Sequence, residues 1–441
     1  MKISTQSVEN SQATLQIEVE PGEMEESLDR AYHHLVKRVG IPGFRKGKAP
    51  RSVLETYVGR DGLQREALED LVPRLCARAV EEQNMEVIAQ PQIEIMDFDP
   101  VVFKATFPLR PQVELGDYHS ISITPPPVEV SDEDVNNAMD RLRERHAVWS
   151  PVERPAKFED LTTVDIEEEV KETGLKRNQR QQLLVVKGSL FPLPGFVEHL
   201  EGMAKDEERE FALAYADDYR FKELAGKEFR FKVKLIEVKE KHLPELNDDF
   251  AKSLEQSMDD LESLRNSMAD NLKKAAEEMA RREYERKVLE AVAGQAKVEF
   301  PSILVDQETD SLLKERDMVF RERGGLEGYL KSLNKTVAEI REEFRPEANR
   351  RVTEALVLGK VAEEEKITAD EAEVNAEIES MMQDAGDKAA DLRRLFGTSQ
   401  ARHVVEDRLA TRKTVQCLVG IAESNANKEN ADEEQEKDSI E

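Results

Sequence analysis

The stretch Ile41-Pro42-Gly43-Phe44-Arg45-Lys46-Gly47-Lys48-Ala49-Pro50 contains no acid, and neither does any other position between Asp29 and Glu55. Its window holds Arg30, Lys37, Arg38, Arg45, Lys46, Lys48 and Arg51, in a chain of formal net charge −29. So local a reversal of sign requires a reason. Two glycines between bracketing prolines exclude a helix or a regular strand, so Phe44, Arg45 and Lys46 are expected on the tip of an ordered, exposed loop. An apolar ring beside two cations is a contact device: the cations pair with phosphate or carboxylate while the ring fills an apolar niche. A solvated basic turn with no partner is the alternative that charge alone leaves open.

The run Gly43-Phe44-Arg45-Lys46-Gly47-Lys48, closed by Pro50, resembles the ribosome-docking signature of bacterial trigger factors, chaperones that meet nascent chains at the exit tunnel. Its place near the N-terminus and the length of 441 residues also fit that family. The resemblance implies that Gly43, Phe44, Arg45, Lys46, Gly47 and Lys48 bind the ribosome. Ribosomal RNA phosphate and a tunnel-exit ribosomal protein would be the surfaces met by residues 41–50. Unfolded nascent polypeptides are the implied clients, and a homodimer is allowed when the protein is free.

Composition sets the frame. Charged residues make up 36% of the chain and aromatics 5%, a balance of long solvated helices and modest cores, with room for roughly two to four domains. The acidity excludes wrapping nucleic acid over the whole surface, so any contact with RNA must be local to the basic loop. Cys76 and Cys417 lie in apolar helical patterns far apart and read as core thiols of a reducing compartment. No apolar run is long enough to span a bilayer and Met1-Lys2-Ile3-Ser4 opens no signal peptide, so a cytoplasmic protein with no membrane partner is expected. The histidines show no metal-ligand spacing, and no P-loop or nucleophile elbow occurs; no cofactor and no use of ATP are expected.

In chain order, Val8 and then Ala13, Leu15, Ile17 and Val19 alternate as two half-buried strands. Met24, Leu28, Ala31, Tyr32, Leu35 and Val39 recur at helical spacing, and a second long helix carries Leu68, Leu71, Val72, Leu75 and Cys76. Strands over 87–98 and 101–109 complete an α+β domain, residues 1–110. Residues 111–154 read as a linker and connecting helix: Ser131 caps, Asp132, Glu133 and Asp134 favour the dipole, Leu142 and Trp149 lie on its face, and Pro151 closes it.

Residues 155–240 resemble an FKBP-type peptidyl-prolyl isomerase, through Leu193-Pro194-Gly195-Phe196, Leu200-Glu201-Gly202-Met203 and the alternating run Phe229 to Ile236. Such an enzyme twists the prolyl amide inside an apolar slot and needs neither acid, base nor metal. The resemblance implies a slot built from Leu193, Phe196, Tyr219 and Phe231. The chain departs from the pattern where the family has an aromatic-acid pair; here Lys176-Arg177-Asn178-Gln179-Arg180 stands instead, expected to remove one wall and to place cations near the mouth.

Helical periodicity then dominates residues 241–425. One helix is expected from Met258 to Gln295, others over 303–323, 326–333, 337–366, 371–385 and 399–423, with Thr368 as a cap. Met381, Met382, Leu392, Leu395 and Phe396 offer adaptable client surface or ordinary interhelical core. Residues 426–441 read as an acidic disordered tail. The expected fold class is multidomain α+β: an α+β ribosome-binding domain, an FKBP-like β-rich middle domain and an all-α client domain with long helices. The competing function is a stand-alone prolyl isomerase with helical dimerisation or interaction appendages.

Overall fold

A computed structural model describes residues 1–171, 176–214, 226–254, 260–321, 324–333, 335–386 and 389–438. The chain divides into two units, one of Met1–Pro126 with Arg281–Glu441, the other of Pro127–Ala280. The first opens on a hairpin, β1 (Lys2–Glu9) and β2 (Gln12–Glu18), whose two loop residues Asn10 and Ser11 both take positive φ, the mirror-image turn that suits strand twist. Three helices follow: α1 (Pro21–Arg38), α2 (Arg51–Val58) and α3 (Arg60–Glu82). Strands β3 (Gln92–Phe98) and β4 (Val101–Pro108) complete an antiparallel sheet of order β1-β2-β4-β3. One face of β2 and β4, carrying Leu15, Ile17, Phe103 and Phe107, packs on Leu68, Leu71, Leu75 and Cys76 of α3. Burial there pushes the Cys76 thiol up to about 11, so it is an inert core residue. A short strand β5 (Gln112–Glu114) leaves this sheet.

The second unit begins with α4 (Asp132–Arg145), where the Ser131 hydroxyl accepts from the Asp134 N–H at 3.2 Å. This helix ends before Trp149. Residues expected to prolong it form a strand instead, β6 (Val148–Val152), with Trp149 opposite Lys241 and Pro151 opposite Lys239. As the outer strand, β6 tolerates a proline, which cannot donate to a further neighbour. Strands β7 (Leu161–Val170), β8 (Lys176–Leu184), β9 (Glu208–Ala214) and β10 (Glu228–His242) build the rest of an antiparallel sheet. β10 pairs with β7 along most of its length, with β9 near its start and with β6 at its end. Helices α5 (Asp248–Leu254) and α6 (Leu261–Gln295) follow, and Phe250, Ala251 and Leu264 pack on Val135 and Met139 of α4. With 35 residues, α6 is about 50 Å long, and the division between the units falls within it.

Strand β11 (Lys297–Glu299) returns to the first unit by pairing with β5, Val298 opposite Val113. Helices α7 (Ser302–Val319), α8 (Gly325–Leu333), α9 (Val337–Glu364), α10 (Glu371–Asp384), α11 (Ala389–Leu395) and α12 (Ser399–Asp438) follow. Asp370, not Thr368, caps α10: its carboxylate accepts from the Glu373 N–H at 2.8 Å, and the Thr368 carbonyl accepts from Lys413 instead. Pro346 lies inside α9 without ending it. Helix α12 continues past Asn425, where the sequence reading starts a disordered tail, because Lys428 to Asp438 contain neither Gly nor Pro and are rich in helix formers. Asn425 is itself anchored, donating to the His119 and Ile121 carbonyls at 2.7 and 3.0 Å. Among the described residues no helix is long and apolar enough to cross a membrane.

The helical core around Tyr118, Tyr284, Val288, Val357 and Leu418 includes the return strand pair. Gly116 sits against it so tightly that a Cβ would lie 2.7 Å from Gln295 Cβ and 2.8 Å from its carbonyl oxygen. Backbone cannot yield cheaply. Gly116→Ala should therefore lower unfolding free energy by about 1–3 kcal/mol in urea titration; an unchanged midpoint would contradict this packing.

Candidate functional site

The basic loop is built from two consecutive turns of one kind. The Phe44 N–H donates to the Ile41 carbonyl at 3.1 Å across Pro42 and Gly43, and the Lys48 N–H to the Arg45 carbonyl at 2.9 Å across Lys46 and Gly47. Gly43 and Gly47 sit at φ 86° and 82°, the third position of a type II turn, which a side chain would strain. The loop is tied down at both ends. Ile41 and Ala49 are buried, the Tyr32 hydroxyl donates to the Ala49 carbonyl at 2.8 Å, and the Gly47 N–H donates to the Val36 carbonyl at 2.9 Å. Between these anchors Phe44 is 43% exposed, with Arg45, Lys46 and Lys48 exposed beside it.

The cations of this window divide into two groups. Arg30 pairs with Glu26 at 2.8 Å, and Arg51 with Glu25 and Glu55 at 2.6 and 2.9 Å. Lys37, Arg38, Arg45, Lys46 and Lys48 have no ion pair among the described residues. The structure thus brings Gly43, Phe44, Arg45, Lys46, Gly47 and Lys48 together as a rigid, unneutralised basic tip with one aromatic.

In the second unit Leu193, Phe196 and Phe231 also meet, whereas Tyr219 lies outside the described residues. The same turn recurs here: the Phe196 N–H donates to the Leu193 carbonyl at 3.0 Å across Pro194 and Gly195, the latter at φ 85°. Its product is the opposite of an exposed tip. Phe196 is 0% exposed and Phe231 3%, with ring centroids 5.0 Å apart at 86°. Phe211, missed in the sequence, stands 5.2 Å from Phe196 and stacks on His199 at 4.2 Å. Alternation in Glu208-Arg209-Glu210-Phe211-Ala212-Leu213 was the signal that could have found it.

The other face of the sheet is a set of charged columns. Register places Arg180 opposite Asp165 on β7, with bonds of 2.6 and 2.7 Å; Lys176 reaches Glu169 at 3.6 Å, and Lys232 reaches Glu208 at 2.9 Å. Lys176 and Arg180 thus each pair with an acid across the ladder, and Lys176 also borders the cleft that opens there. A cleft of ≈ 390 Å³ lies along these columns, lined by Glu167, Glu169, Glu210, Arg230 and Lys232, and reaches Phe211 and Phe231. Among the described residues no cluster of His, Cys, Asp and Glu could hold a metal.

Two family descriptions match the chain: "Bacterial trigger factor protein (TF)" over residues 1–142, and "Bacterial trigger factor protein (TF) C-terminus" over residues 260–420. A trigger factor of Dehalococcoides mccartyi (strain CBDB1) is 35% identical over 424 residues, covering 96% of this chain and 95% of that protein. The chain belongs to the trigger factor family of chaperones. Trigger factors of Pelotomaculum thermopropionicum and Geobacillus sp. (strain WCH70) are each 34% identical, covering 95% of this chain and 97% and 98% of theirs. A solved structure described as "Promiscuous Substrate Recognition in Folding and Assembly Activities of the Trigger Factor Chaperone" is 24% identical, covers 95% of this chain and 99% of its own, and has a TM-score of 0.47.

One buried ion pair holds the second unit's sheet to its entry loop. Both Arg154 terminal nitrogens donate to Asp160, at 2.6 and 2.9 Å, and the Lys157 N–H adds a third bond at 2.8 Å. Burial alone would raise the Asp160 pKa, but the Arg154 bonds and the Lys157 N–H outweigh it and hold the carboxyl below its usual range. A carboxylate depressed on folding stabilises above its unfolded pKa of about 3.9 and loses that contribution as pH falls through the folded value. Asp160→Asn should therefore destabilise by roughly 3 kcal/mol at pH 7 and flatten the further loss of stability as pH falls below about 4. Trp149, the sole tryptophan, reports the transition from within this unit. Equal acid sensitivity of the two proteins would remove Asp160 from this role.

Proposed function

We propose that residues 41–50 dock this chaperone on the ribosome, with Arg45, Lys46 and Lys48 on ribosomal RNA phosphate and Phe44 in an apolar niche of a tunnel-exit ribosomal protein. The observation that carries this reading is the row of unpaired cations beside an exposed aromatic, on a doubly anchored turn, in a chain of net charge −29. Family membership supports it, as does the absence of another use for such a tip. Clients are unfolded nascent polypeptides, held without ATP on exposed apolar surface. The cleft floored by Ile378, Met382 and Phe396 is one such surface, with Leu395 exposed nearby. The protein works in the cytoplasm.

Contact of this kind is local and partly ionic. Alanine at Phe44, Arg45 and Lys46 should weaken ribosome co-sedimentation about 100-fold, ~2.7 kcal/mol, with an unchanged melting curve because all three are exposed. Raising salt should weaken the wild type along a linear log-log slope. Undiminished, salt-insensitive binding by the triple variant would refute docking through this loop.

The second unit is read as an FKBP-like prolyl isomerase of low activity, its slot lined by Leu193, Phe196, Phe231 and, by resemblance, Tyr219. Full burial of Phe196 favours low activity, since a ring with no exposed surface touches a substrate proline only after the core opens, even though the cleft reaches Phe211 and Phe231. Each 1.4 kcal/mol spent on opening slows turnover about tenfold. A protease-coupled assay on short prolyl peptides should show a rate at least about 100-fold below an ordinary FKBP-type enzyme; a matching rate would overturn this.

A further inference from the structure

Among the described residues, the outer strand of the four-stranded sheet has no neighbouring strand on its far edge; only the Gln64 side chain reaches it, donating to the Phe98 carbonyl at 3.1 Å. β3 is outermost in the order β1-β2-β4-β3, so only its β4 edge is hydrogen-bonded within the sheet. Register sets Ile93, Ile95 and Phe98 opposite Ala105, Phe103 and Val101, which are buried. The apolar face of the sheet therefore runs on past its helical cover: Ile93, Ile95 and Phe98 are 44%, 39% and 52% exposed, and Met96 in the bulge is 61% exposed. Natural proteins shorten, bend or cover such edges because they recruit other chains. Here a seven-residue edge with four apolar side chains is kept exposed, bent only by the bulge at Met96.

The edge also has a chemical sign. Glu94 lies on the face opposite the apolar strip, across from Lys104, and Asp97 and Asp99 stand at the strand's end; none of the three acids has an ion pair among the described residues, though Asp97 Oδ1 accepts from the Phe98 and Asp99 N–H groups at 2.7 and 3.2 Å. We propose that β3 captures an extended segment of unfolded polypeptide by strand addition. Main-chain hydrogen bonds to the free edge supply affinity, and the selected segment alternates apolar residues, against Ile93, Ile95 and Phe98, with Lys or Arg, against Glu94 and Asp97. The occupant is an extended chain rather than a folded surface because the free groups are a row of backbone donors and acceptors. This deepens the client-holding reading and rests on it.

Fluorescence anisotropy on the full-length protein tests it with three labelled peptides of about ten residues: alternating Val and Lys, alternating Val and Glu, and the Val/Lys peptide N-methylated at alternate positions. The Val/Lys peptide should bind at least tenfold more tightly than either other peptide. Ile93→Lys with Ile95→Lys should weaken it at least tenfold, while Met279→Lys on α6, 74% exposed and outside both client surfaces, leaves it unchanged; circular dichroism confirms that the variants are folded. Equal binding of the N-methylated peptide, no binding of the Val/Lys peptide, or equal loss through Met279→Lys would overturn the proposal. So would self-association in sedimentation that Ile93→Lys with Ile95→Lys abolishes, since the edge would then belong to a second copy. Suppression of client aggregation is measured separately: its absence, with peptide binding intact, would end the holding reading and leave the edge standing.

Discussion

The pairing of β5 with β11 joins residues 112–114 to residues 297–299 and so closes the chain around the whole of residues 127–280. Three ladder positions would be marginal in isolation. They persist because the flanks are embedded: Val113 and Val298 pack on the helical core, the Tyr284 hydroxyl donates to the Ile123 carbonyl at 2.7 Å, and the Ser11 hydroxyl donates to the Glu299 carbonyl at 3.0 Å. The hairpin, the return strand and the helices α7 to α12 belong to one unit, held by these and other long-range links such as Gln12 to Ser302 and Tyr118 to Glu365. The intervening unit can then fold on its own contacts without disturbing the unit it interrupts.

Charge is distributed by the same economy of partners. Most described cations of the helices are engaged within one or two turns or across a helix pair, as Arg286 is with Glu283 and Arg412 with Glu377. Exposed pairs of this kind are each worth little, about 0–1 kcal/mol. Their larger consequence is neutrality: local fields cancel, and the net acidity keeps apolar surface apart in solution. Against that background the row from Lys37 to Lys48 stands out by density: five cations without an ion pair among the described residues, within twelve positions that contain no acid.

How much of this was legible in the sequence depended on where the deciding contact lay. The amphipathic faces of α1 and α3, the Ser131 cap and the Pro-Gly turns are local, and the residues announce them. Strand β6 was misread because Trp149 and Pro151 look like a helix end; the deciding partners, Lys241 and Lys239, are some ninety residues away. The roles of Lys176 and Arg180 needed the register against Asp165 and Glu169, since a one-residue slip moves a side chain to the other face. The tail was misread for another reason: composition without Gly or Pro permits both a helix and disorder, and only the helix preceding it decides. The candidate slot was legible in its members but not in its closure, and Tyr219 lies outside the described residues.

Two turns with the same Pro-Gly centre make the general point. Pro42-Gly43 delivers Phe44 to solvent, and Pro194-Gly195 delivers Phe196 to the inner face of a sheet already lined by Phe211 and Phe231. Local chemistry fixed the bend in both; what received the ring fixed its use. A fully buried Phe contributes about 2–3 kcal/mol over an exposed one. Phe44 forgoes that stabilisation in the free protein, so it is recoverable on contact with a partner. Phe196 already has it, and admitting a proline ring would first require giving it up. One aromatic is therefore poised for binding and the other for stability, and the same quantity of buried surface decides which.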